Sequence, residues 1–425
     1  MKRVYFGGLL FFTLKKVSGK LFLLLVAAGL LINGAYLWLE HSGMHELDHY
    51  YKPLIHQYKG EITEGVMKEI SVKNQEMQNL LASIYKELEA DFLKQVFGEK
   101  DDIIGSSIKI DKDKKQEADR RLSQPGKYTD TVQMDIWLWG HLYRQTDYLY
   151  RLSYQWQEMK EIAQRNIGRS KNENSYTYRE WNLYSSRISA LKAPLLDDMQ
   201  AWEAFFKCYG NDVIMLVLIL LILSPVFSND YANGMFKLQK STKYGMFGLT
   251  IVKVCTAIII ITAIFIIYTL QHAAFLMFYN GGFGGIHQPL QAVQYFSKSI
   301  QPWAIGEYIW IMLGLKYLSC ISLALMTLAV SSISRTSFVT FIASGILCYL
   351  PFVIGKAMQE SIPTSKAFLF SYSSAFNVNN YYSEFTVWNV LNQPISLGIL
   401  VYGVLVILCF IYYGFIVKRM KYVRP

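Results

Sequence analysis

Apolar residues are gathered along this chain into six long runs, and the longest polar stretch lies between the first and the second. The runs are residues 21–39, 213–228, 251–279, 303–329, 337–355 and 395–417. A helix needs about 20 predominantly apolar residues to cross the ~30 Å hydrocarbon core of a bilayer. Six membrane-spanning helices are therefore expected. Ahead of them, residues 1–20 mix Phe and Leu with Lys2, Arg3, Lys15, Lys16 and Lys20, the pattern of an amphipathic helix lying on a membrane surface. The first run ends in Trp38, Leu39 and Glu40 with no small-residue cleavage site, so it reads as a retained span and not as a secretory signal.

Between the first two runs the period changes. Residues 40–212 carry apolar positions at helical spacing in Ile62, Val66, Ile70, Met77, Leu81, Ile84, Leu88 and Phe92. A second, more aromatic set runs from Met134 to Ile162 through Trp137, Trp139, Tyr143, Tyr150 and Trp156. The fold class expected is an all-α integral membrane protein, six transmembrane helices with a large helical extracytoplasmic domain after the first. The remaining connections are a loop at 229–250, an outer loop at 280–302, a short loop at 330–336, an outer loop at 356–394 and a tail at 418–425. The loop 356–394 has aromatic patches at 367–372 and 385–388, which are expected to dip toward the membrane as short helices shielded by protein.

Charge fixes the orientation of this layout. The net charge is +10, but residues 41–212 hold 24 basic and 27 acidic side chains, so the excess lies elsewhere. The segments 1–20, 229–253, 330–337 and 418–425 hold fourteen basic residues against Asp230 alone. Basic charge beside apolar runs is the positive-inside pattern and not a nucleic-acid surface. It places both termini in the cytoplasm and the 40–212 domain outside. Usage rich in Lys, Ile, Asn and Tyr points to a bacterium of low genomic G+C content, whose cell membrane would hold the chain. The five cysteines stand singly, with no CxxC, so neither a disulfide framework nor a zinc ribbon is expected.

No G-x-x-x-x-G-K-[ST] phosphate loop occurs, and no cytoplasmic segment has room for a nucleotide-binding domain. The chain itself is expected to bind no cofactor. The most polar cytoplasmic stretch is 227–253, with Met235, Phe236 and Leu238 on an apolar face and Lys237, Lys240 and Lys243 as a basic one. In Phe227, Asp230, Gly234, Ser241, Lys243 and Lys253 it resembles the first cytoplasmic loop of ABC-2 type permeases, the membrane subunits of a class of ABC exporters. Asp230 stands where the family more often has Glu, and Lys243 where Arg is common. The resemblance implies a coupling loop built on Asp230, Gly234, Met235, Phe236, Lys237, Lys240, Ser241 and Lys243. It further implies a partner ATPase that uses ATP and Mg, and a second permease subunit forming a homodimer or heterodimer. The cargo it suggests is peptide or lipid-like.

Two other constellations carry chemistry. His45, Glu46 and His49 match HExxH, in which two His on one helix face bind zinc and the Glu acts as general base. With Asp48 inside the motif and a span just before it, a solvated helix face is the plainer reading. His41, His45 and His49 at i, i+4, i+8 leave a metal site as an alternative, and a membrane metalloprotease as the alternative function. An ATPase-linked sensor of extracellular ligands is a third. Finally, Lys316 sits mid-way along the fourth run, where a bare charge is costly. A hydroxyl, a carbonyl or Glu307 is the expected partner, and Lys316 with Glu307 is the candidate for a translocation path.

Overall fold

The computed structural model describes residues 20–41, 45–87, 130–170, 172–207, 210–235, 245–280, 282–361 and 367–422. The expected N-terminal amphipathic helix thus lies outside the described residues. About 80% of the described residues are helical. Among the described residues, six helices are long and apolar enough to cross a membrane: Phe22–Glu40, Gln200–Ala232, Phe247–Tyr279, Ile305–Ser331, Ser337–Met358 and Leu397–Lys421. Five of them fall within a few residues of the runs read from the sequence. The second begins at Gln200 and not at residue 213, because a short amphipathic helix with Trp202, Phe205 and Phe206 on its apolar face precedes the uniformly apolar part.

Helices are numbered here in chain order. α1 is Lys20–His41, α2 His45–Tyr58, α3 Glu64–Glu87, α4 Asp130–Arg169 and α5 Tyr176–Ser189. The second long segment comprises α6 (Gln200–Lys207), α7 (Gly210–Leu223) and α8 (Pro225–Ala232). α9 is Gly245–Tyr279, α10 Ile305–Ser331 and α11 Ser337–Ser361. Two short helices, α12 (Tyr372–Phe376) and α13 (Asn379–Tyr382), lead to a hairpin of β1 (Val387–Val390) and β2 (Gln393–Ser396), and then to α14 (Leu397–Tyr422).

The chain divides into two compact units. One holds residues 44–158 and 193–198; the other holds 1–43, 159–192 and 199–425. In the first, Tyr51, Ile55, Ile70, Leu138, Leu142, Leu149 and Leu196 form the core. Tyr51, Trp137 and His141 pack as rings within it, with Trp137 and His141 stacked at 5.0 Å. The returning segment 193–198 is stitched on by paired backbone bonds between Gly60 and Leu196 (3.1 and 2.8 Å). An ion pair from Lys59 to Asp197 (3.0 Å) and a bond from the Gln145 amide to the Asp197 carbonyl (2.8 Å) add to it. Gly60 allows the turn, at φ +134°.

The second unit is built around α7, α9 and α10. Buried residues make up 59%, 50% and 44% of the second, third and fourth apolar windows, against 22% of the first, fifth and sixth, so the middle three form the centre. α10 packs most extensively on α14, and α7 on α1. α1 docks on α9 through Gln271, whose amide donates to the Leu30 carbonyl (2.8 Å) and accepts from Asn33 (3.0 Å). In apolar surroundings such amide bonds hold helices that hydrophobicity alone would not orient. Gly29 gives the Tyr268 hydroxyl its room; a Cβ there would collide with it.

Of the two aromatic patches in the loop before α14, the first, 367–372, lies in short helices as expected, whereas the second, 385–388, is not helical and runs into strand β1. The Ala375 carbonyl, at the end of α12, accepts hydroxyls from Ser319 (3.1 Å) and Tyr402 (2.9 Å). Ser319 lies mid-way along α10, so α12 reaches the middle of the helical bundle. Tyr372 adds a hydroxyl contact to Ser322 (3.0 Å). These bonds satisfy a backbone that has left regular structure at depth. The β hairpin was not expected. Its two-residue turn, Leu391 (φ 49°) and Asn392 (φ 63°), has both central residues left-handed, as a tight hairpin turn demands.

Candidate functional site

The stretch that opens at Phe227 begins with a helix break. Pro225 has no N–H and cannot continue α7, so α8 starts afresh at that residue. The loose ends are taken up by Ser331, the last residue of α10. Its hydroxyl oxygen accepts from the Phe227 and Ser228 N–H groups (both 3.1 Å) and donates to the Ser224 carbonyl (2.8 Å). Ser228 also donates to that carbonyl, at 2.7 Å. One buried serine thus stands in for the missing helix ladder.

Lys253, two turns into α9, closes the other side of α8. Its ammonium donates to the Asp230 carboxylate and to the Val226 carbonyl (2.9 Å), and lies 4.7 Å from the centre of the Phe227 ring. Asp230 and Lys253 are 4% and 7% exposed. A buried charge needs both a counter-charge and hydrogen bonds, and each has them here. Farther along α8, the Tyr231 hydroxyl donates to the Ser332 carbonyl (3.1 Å) and lies 4.0 Å from the sulfur of Met420 in α14. The helix ends at Asn233 and Gly234, and Gly234 takes a left-handed φ of 66° that a glycine adopts without strain.

Of the residues singled out in the sequence, the structure therefore brings together Phe227, Asp230 and Lys253. Asp230 points inward at Lys253, so its part is to hold α8 in place. Met235 is exposed. Phe236, Lys237, Lys240, Ser241 and Lys243 lie outside the described residues.

A second ion pair lies deeper. Lys316 in α10 reaches both carboxylate oxygens of Asp212 in α7, each at 2.9 Å. The partner differs from those expected. Glu307 instead accepts the Ala304 N–H (3.0 Å) at the start of α10, where a carboxylate suits the positive end of the helix. Asp212 was overlooked because it stood at the edge of a stretch read as polar. A lysine mid-way along an apolar helix demands a counter-charge, and Asp212 is the acid adjoining the second apolar run. The signal was present.

No protein-family model, curated protein or solved structure matches the chain. As to the histidines, the side chains of His41, His45, Glu46 and His49 lie outside those described. Among the described residues no group of three or more His, Cys, Asp or Glu is arranged to hold a metal ion.

Proposed function

We propose that the chain is the membrane-spanning permease of an ATP-driven exporter, of the ABC-2 type that residues 227–253 resemble. On this reading the protein sits in the cell membrane of a bacterium with both ends in the cytoplasm, and the helical unit of residues 44–158 faces outward. Two permease subunits work with two cytoplasmic ATPases, which bind ATP and Mg. The cargo is peptide or lipid-like. Residues 229–250 form the loop that the ATPases push.

The observation that supports this most is the fixing of α8 from three sides. A coupling loop is useful only if force on it reaches the spans. α8 is bonded to α9 through Lys253, to α10 through Ser331, and through Ser332 to the residues just beyond it. Displacing residues 235–244 would drag these elements together. The Lys316–Asp212 pair links α7 and α10 farther along the same two segments, where a relative shift of the helices would strain or part it.

The test is co-purification of the tagged chain from its native membrane, with ATPase assay and mass spectrometry of what accompanies it. Wild type is compared with a variant carrying Phe236→Ala, Lys237→Ala and Lys240→Ala. A nucleotide-binding subunit in about equal amount, lost or uncoupled in the variant, is expected. A well-folded chain that brings no ATPase would overturn the proposal.

A further inference from the structure

Arg187 lies on α5, half-buried, in the unit that carries the long helices. Among the described residues it has no carboxylate partner; its guanidinium donates to the Gln301 side-chain oxygen. Burial alone pulls its pKa below the ordinary arginine value, and the nearby Tyr382 phenol offsets this only in part. An arginine carries five N–H donors in a rigid fork, so one amide leaves most of them unspent. Lys298, three residues before Gln301, is paired with Glu384 at 3.2 Å.

The acceptor is held in place. Gln301 is 4% exposed, and its backbone carbonyl is bonded by the fully buried Gln291 (2.8 Å). Around the guanidinium the surface is aromatic. Tyr184, one turn back on α5, packs on Phe385 at 5.5 Å, and Trp303 packs on Tyr382 at 5.4 Å. Tyr184, Phe385 and Trp303 are half-buried, so part of each ring still meets solvent. A fixed, uncompensated guanidinium set among rings suits a ligand with an anionic head and an apolar body. The head takes the free fork bidentately, and the body lies on the rings.

We propose that Arg187, Gln301, Tyr184, Phe385, Tyr382 and Trp303 form a binding site for an anionic amphiphile, whose head is a phosphate or a carboxylate. The site is independent of the permease reading and would exist whatever drives the protein.

The protein purified in neutral maltoside detergent is titrated with hexyl phosphate, hexyl glucoside and inorganic phosphate, with thermal unfolding as the readout. Hexyl phosphate raises Tm saturably, and the other two bind more weakly by about tenfold or more. Arg187→Gln lowers the hexyl phosphate affinity by about tenfold or more. Should that variant fold poorly, Gln301→Glu decides. It gives Arg187 a counter-charge of its own, so it unfolds no earlier than wild type and still loses the ligand. Unchanged affinity in a folded Arg187→Gln or Gln301→Glu protein overturns the site. Inorganic phosphate binding as tightly as hexyl phosphate overturns the apolar half. Repeating the titration in nanodiscs distinguishes the sources. If anionic lipid abolishes the response that zwitterionic lipid leaves, the occupant is a membrane lipid; if both preserve it, the occupant arrives from solution.

Discussion

Two lysine–aspartate pairs hold the central helices, one buried and one with its lysine half-buried, and they are built differently. Lys253 meets Asp230, the Val226 carbonyl and the Phe227 ring, at a helix break that Ser331 repairs from another element. Lys316, mid-way along α10, meets the two oxygens of Asp212, which stands in the first turn of α7. The first pair shapes the backbone around it; the second only links two helices that would form without it. Removing a pair should therefore cost the fold at one place and spare it at the other.

Single truncation hides this difference, because either change leaves a buried charge alone. Lys253→Ala and Asp212→Ala are each expected to cost about 3–5 kcal/mol of stability. Joint apolar replacement reveals it. Asp212→Leu with Lys316→Met should leave the unfolding temperature unchanged or raise it, since well-packed apolar residues often match a buried pair. Asp230→Leu with Lys253→Met should remain clearly destabilised, because the Val226 carbonyl and the Phe227 ring also lose a partner. Thermal unfolding of the two double variants in one detergent checks this, and equal shifts would erase the distinction.

Ser331→Ala sharpens it further. The change deprives two backbone N–H groups of their acceptor and one carbonyl of a donor, at an expected cost of about 1–3 kcal/mol. Ser319→Ala, which takes one of two hydroxyl donors from the Ala375 carbonyl and leaves that of Tyr402, should cost less. Hydrogen exchange of α8 would rise in the first variant and not in the second.

The smallest effect lies in the other unit. The Tyr58 phenol, pushed up to about 12 by burial and by its hydrogen bond to Glu69 (2.8 Å), ionises late. The folded state prefers the neutral phenol, so its contribution is fully present below pH 10 and fades as pH rises through about 12. Glu69→Gln should lower that titration only in part, because burial is the larger cause. The ring-carbon resonance of labelled Tyr58 reports it, and a pKa unmoved by the substitution would show that Glu69 plays no part.

Much of this was legible in the chain. Long apolar runs in a bilayer are satisfied as helices, so the six long apolar helices among the described residues, and five of their positions, followed from the pattern. The aromatic patch at 367–372 marked the segment that enters the bundle. The start of the second long segment was misplaced because Glu203 and Lys207 make α6 look like part of the polar stretch. The hairpin was missed because Leu391, 95% exposed at a left-handed φ, is a residue no turn rule selects.

By itself, then, the sequence determined what must be buried: which segments are apolar, which loops are basic, and that Lys316 needs a partner. Tertiary structure alone decided which partner it has, and that Asp230 and Lys253 meet each other. Lys316 could have met any acid or carbonyl at its depth, and the packing of α7 on α10 assigned it Asp212. Ser331 is one serine among many until the break at Pro225 is brought against it. Hydrophobic period is a local property that a linear chain displays. The pairing of one polar group with another far along the chain exists only once the helices are side by side.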